Sequence, residues 1–69
     1  MFLVEEKTSR NGQRSAAIYM RDDGLFEAHL YKGSTNSQLT SRSSDGYEVC
    51  GVTETLKPLE AIVDEELGL

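Results

Sequence analysis

A chain of 69 residues with a net charge of −5, one cysteine and one histidine is a single small domain, residues 1–69, and such a chain buries only about 60% of its unfolded surface. A lone cysteine excludes an internal disulfide, and one Cys with one His falls short of the four ligands a structural zinc site takes. No window is long and apolar enough to span a membrane, and Phe2-Leu3-Val4 is cut off by Glu5-Glu6 too soon to form a signal-peptide core. With one free thiol, the expected setting is cytoplasmic.

The chain opens with period-two alternation broken by turn residues at short intervals, which predicts an antiparallel meander. The expected strands are residues 2–8, 13–21, 25–32 and 38–43, with a short fifth at 47–52. Arg10-Asn11-Gly12, Asp22-Asp23-Gly24 and Ser44-Asp45-Gly46 are turn sites of one type, Asn or Asp followed by Gly. A two-residue turn at Asp23-Gly24 would mix polar and apolar side chains on both faces. A three-residue loop with Gly24 left-handed pairs Met20 with Phe26, Ile18 with Ala28 and Ala16 with Leu30, giving one apolar face. The same loop at Arg10-Asn11-Gly12 sets Phe2 against Met20 and Val4 against Ile18. A four-residue loop at Gly33-Ser34-Thr35-Asn36 would bring Leu39 opposite Leu30.

After residue 52 the period changes. Leu56, Leu59, Ile62, Val63 and Leu67 recur every three or four residues and predict a helix over about 54–67. Thr53 or Thr55 suits the N-cap, Pro58 is tolerated only in the first turn, and Gly68 fits the position past the end. Asp64, Glu65 and Glu66 sit against the negative end of the helix dipole and should fray the last turn.

The fold class is therefore α+β, an antiparallel β-meander of four or five strands (about 2–52) with one C-terminal α-helix packed on one face. Its expected core is Phe2, Val4, Ile18, Met20, Phe26, Ala28, Leu30 and Leu39 from the sheet, with Leu56, Leu59, Ile62, Val63 and Leu67 from the helix.

The other sheet face is then left open, carrying Leu3, Glu5, Ala17, Tyr19, Arg21, Glu27, His29, Tyr31, Gln38 and Thr40. Exposed tyrosine and arginine are enriched at binding hot spots, so the expected protein interface is Tyr19, Arg21, Glu27, His29 and Tyr31. Strand propensity alone also accounts for the tyrosines. The helix carries most of the net charge, and Glu60, Asp64 and Glu65, flanked by Glu54 and Glu66, form a secondary acidic surface. Charge runs of this length are ordinarily solvated.

Nothing in the chain has the spacing of a phosphate loop, a catalytic triad or a metal site. Asp22-Asp23-Gly24 lacks the remaining ligands of a calcium loop. His29 on a flat sheet has no pocket in which to act as a catalyst, and Cys50 has no basic sequence neighbour to activate its thiol. No enzyme activity, cofactor or metal is expected. The leading expectation is a small acidic protein-binding module, an accessory or inhibitor protein of the kind bacteria and their viruses use to cover a site on a larger partner. The alternatives are a homodimer closed through the open face or edge strands, and a single-stranded nucleic-acid binder. The latter would stack bases on Tyr19, Tyr31 and His29, with Arg14, Arg21, Lys32 and Arg42 near the backbone. The negative charge weighs against it.

Overall fold

A computed structural model of the chain describes residues 1–32 and 47–69. Four strands, β1 (Phe2–Thr8), β2 (Arg14–Met20), β3 (Phe26–Lys32) and β4 (Tyr47–Thr53), form one antiparallel sheet in the order β1-β2-β3-β4. One helix among the described residues, α1 (Leu56–Leu67), packs on it. The α+β meander read from the alternation is the fold.

The second hairpin follows the expected register throughout: Met20 pairs with Phe26, Ile18 with Ala28 and Ala16 with Leu30. Gly24 closes it at φ 87°, its N–H donating to the Arg21 carbonyl at 3.0 Å. The Asp23 carboxylate takes the Leu25 N–H at 3.1 Å. Three residues thus separate Arg21 from Leu25, whose carbonyl accepts the Arg21 N–H at 2.7 Å.

The first hairpin departs from expectation by one residue. Its loop holds four residues, closed by the Ser9 N–H on the Arg14 carbonyl at 2.9 Å. Ser9 Oγ accepts the Arg14 N–H at 3.1 Å, and Asn11 Oδ1 accepts the Gln13 N–H at 3.0 Å. Two side-chain acceptors thus hold an extra residue in the turn. At the equivalent place the second hairpin has Arg21, which offers no acceptor.

A β-bulge between Leu3 and Glu5 cancels the offset, so Phe2 still meets Met20 and Leu3 meets Tyr19. Between loop and bulge the faces are exchanged. Glu5 lies opposite Ile18 and Lys7 opposite Ala16, which places both on the helix side. The expected Val4–Ile18 pair does not form, and Glu5 does not belong to the open face.

The place beside β3 is taken by β4, so Leu30 lies between Ala16 and Glu48. Leu39, the partner expected for Leu30, lies outside the described residues. Residues 38–43, the Gly33–Asn36 loop and the Ser44-Asp45-Gly46 turn lie outside the described residues. A second bulge, between Ala28 and His29, leaves Cys50 unpaired on β4.

Helix α1 begins after Thr55 in extended geometry and ends at Gly68 with φ 71°. The Gly68 N–H reaches the Glu65 carbonyl at 3.2 Å and the Leu69 N–H reaches that of Asp64 at 2.8 Å, the paired closure that left-handed glycine permits. The helix lacks a basic residue in its last turn, but β2 supplies one. Arg14 Nη1 donates to the Glu66 carbonyl at 2.8 Å, so a cation faces the end that the acidic run destabilises.

The core is Ala16, Ile18, Ala28 and Leu30 beneath Leu59, Val63 and Leu67, with Val4, Phe26, Cys50 and Leu56 at its margin. Each large side chain fully buried there is worth about 1.5–3 kcal/mol. Gly51 allows the close approach, because a Cβ on it would stand 3.0 Å from Leu59 Cδ1. Two expected core members are displaced. Phe2 is exposed because α1 leaves the sheet from β4 and meets β1 at Glu5 and Lys7, through Glu60 and Asp64, leaving the Phe2 corner uncovered. Ile62 sits at the rim over Gly51 and is also exposed, and Met20 is half-buried.

Candidate functional site

The pairings place Tyr19 beside Glu27, Ala17 beside His29 and Ser15 beside Tyr31, all on the side away from α1. Four of the five expected interface residues thus share one face, since Glu27, His29 and Tyr31 alternate along a single strand. Arg21, just past β2, joins them through Glu27, its Nη1 lying 3.5 Å from Glu27 Oε1.

They form a connected cluster. Glu27 Oε2 and His29 Nε2 share a hydrogen bond of 2.6 Å. Arg21 also holds Asp23 at 2.9 Å. The His29 ring is tilted against Tyr19 with centroids 4.8 Å apart and stacks on Tyr47 at 4.4 Å and 16°. Tyr47 in turn lies 5.9 Å from Tyr31. Tyr47, which the alternation placed only in a short fifth strand, is thus the fourth ring of the group. β4 brings it there by pairing Tyr47 with Tyr31, a contact between distant parts of the chain that local pattern does not encode.

The expectation of an open face is corrected here. Tyr31 is 3% exposed, His29 8% and Ala17 0%. Aromatic rings on neighbouring strands lie against each other here, and Glu27 and Arg21 lie at one flank. Ser15 is buried too, and its hydroxyl makes no hydrogen bond among the described residues. Base stacking on Tyr31 and His29 would require rings that are uncovered.

Among the described residues, the large apolar side chains still exposed on this side lie mainly on β4. Tyr47, Val49 and Val52 are 42%, 51% and 43% exposed. Val49 pairs with His29 and Val52 with Glu27, so all three side chains point to the cluster's side. On the opposite edge Leu3, paired with Tyr19, is also exposed.

The secondary acidic surface divides. Asp64 is drawn to Lys7, Oδ1 to Nζ at 2.7 Å, and Glu60 faces Glu5. Glu65 is exposed. Burial pushes the Cys50 thiol above its ordinary value, with Glu66 and Glu48 adding to the effect, so Cys50 is not an activated nucleophile. Among the described residues, no three His, Cys, Asp or Glu side chains are placed to hold a metal ion. A groove of about 410 Å³ between the first loop and the helix end is walled by Arg10, Arg14, Glu65 and Glu66, but Arg14 is already engaged by Glu66. No described helix is long and apolar enough to cross a membrane.

Compared with protein-family descriptions, curated sequences and solved structures, the chain matches none.

Proposed function

We propose that the chain is a small, non-enzymatic protein-binding module that covers a site on a larger protein, making contact through Tyr47, Val49 and Val52. The observation that carries this reading is their exposure in one row beside a face otherwise sealed at Ala17, His29 and Tyr31. The stack of Tyr47 on His29 fixes the ring before any partner arrives, and a preordered side chain loses less entropy on binding. Tyrosine in such a place is a frequent anchor. Joining two copies strand to strand along β4 is opposed by the bulge at Cys50, because a bulge kinks an edge away from regular pairing.

The test is capture from the native host with the wild-type chain and with a Tyr47→Ala/Val49→Ser variant, followed by mass spectrometry. Loss of the captured partner in the variant, at a cost of about 1 kcal/mol or more, is the expected result. Equal recovery by both chains would remove the reading. Sedimentation of the wild type alone is expected to show a monomer, and a dimer lost in the same variant would assign the row to self-association instead.

A further inference from the structure

We propose that Glu5 and Glu60 form a proton-operated clasp between β1 and α1, in which one proton held between the two carboxyl groups draws the helix onto the first strand. The inference concerns the opposite side of the sheet from the binding row and does not rest on it.

The bulge at Val4 aims Glu5 at the helix. Opposite it on β2 stands Ile18, which offers no charge and no donor. Glu5 Oε1 is buried without a hydrogen-bond partner. A carboxylate is an acceptor only, and the side chain within hydrogen-bonding contact on α1 is another carboxyl, Glu60. With both ionised, the carboxylate that carries the orphaned oxygen faces an acceptor and a like charge. One proton turns the pair into donor and acceptor, and the orphaned group gains a partner.

The groups that face the pair are few. β1 adds Lys7, and α1 adds Asp64, which Lys7 binds at 2.7 Å. Three carboxyl groups therefore meet one ammonium at this seam, and the lysine is committed to the one farther along the helix. Glu5 is pushed above its ordinary value of 4.5 first by burial, then by the hydrogen bond and charge of Glu60, with Lys7 opposing and Asp64 adding to the rise. A carboxyl raised on folding stabilises the fold when protonated. The gain is complete below the unfolded value and is lost as pH rises through the folded one.

Two measurements test the clasp. In the intact chain, the Glu5 side-chain carboxyl is followed by carbon NMR against pH, and its midpoint is expected above 4.5 and lower in Glu60→Gln. Urea unfolding is then compared between wild type and Glu5→Gln, which keeps the shape and donates permanently. The variant is expected to have the higher midpoint at about pH 7.5, with the difference vanishing or reversing toward about pH 4. A Glu5 midpoint at or below the ordinary value overturns the clasp. So does a Glu5→Gln chain no more stable than wild type at about pH 7.5.

Discussion

The two faces of this sheet are both dry at their centres, and they are dry for different reasons. On the helix side Ile18, Ala28 and Leu30 meet Leu59, Val63 and Leu67, and the attraction is the removal of apolar area from water, which has no preferred direction. On the far side Arg21, Glu27, His29 and Tyr47 are joined by an ion pair, a short hydrogen bond and a stack, each of which has a geometry. The first face holds the chain folded. The second fixes orientations, that of Tyr47 above all. A loss on the first should read as a large loss of stability, and a loss on the second as a smaller one together with lost order at β4.

The sharpest way to break the comparison is on the helix side. Leu59 is fully buried, so Leu59→Ala removes contacts and leaves a cavity at a cost of about 2–5 kcal/mol. In a domain this small that should leave a large unfolded fraction, visible in a urea or thermal melt. On the far side, Glu27→Ala deprives both His29 and Arg21 of a partner. A cost of about 1–3 kcal/mol is expected. Combined with His29→Ala, the two changes should cost less than their sum, because the second removes the group the first left unpaired. Additive losses would mean the two side chains do not act together. The smallest effect is at the seam of α1 and β4. Gly51→Ala relieves backbone entropy worth about 0.5–1 kcal/mol but crowds Leu59 at 3.0 Å, where overpacking costs about 1–3 kcal/mol. A net destabilisation of roughly 1 kcal/mol is expected, and a more stable variant would show that the helix has room to lift.

The parts of this architecture legible in the residues are those set by local period and by a single turn. The second hairpin was readable because Gly24 and the apolar alternation around it demand one loop length. The helix was readable because five apolar residues repeat at its spacing and Gly68 marks its end. The first hairpin misled because Ser9 and Asn11 act through their side chains on backbone groups. The motif Asn-Gly looks the same whether the loop holds three residues or four. The pairing of β4 with β3 was hidden because it joins stretches distant in the chain, which no local period encodes. The site followed suit: alternation grouped Tyr19, Glu27, His29 and Tyr31 correctly, but exposure could not be read from it. Burial there depends on Tyr47 arriving from another strand.

The one-residue lengthening of the first loop and the one-residue bulge at Val4 are equal and opposite slips. Only the segment between them, Glu5 to Thr8, is turned over, while Phe2 and Leu3 stay anchored to Met20 and Tyr19. A lineage carrying this chain could therefore reverse the inside and outside of half a strand by losing one residue from the first loop, which takes Val4 back into register. Such an event would place Val4, Glu6 and Thr8 under the helix in place of Glu5 and Lys7, leaving the pairing of the other strands undisturbed. Strand β1 is the natural place for that freedom, since among the described residues it has one neighbouring strand to keep in register.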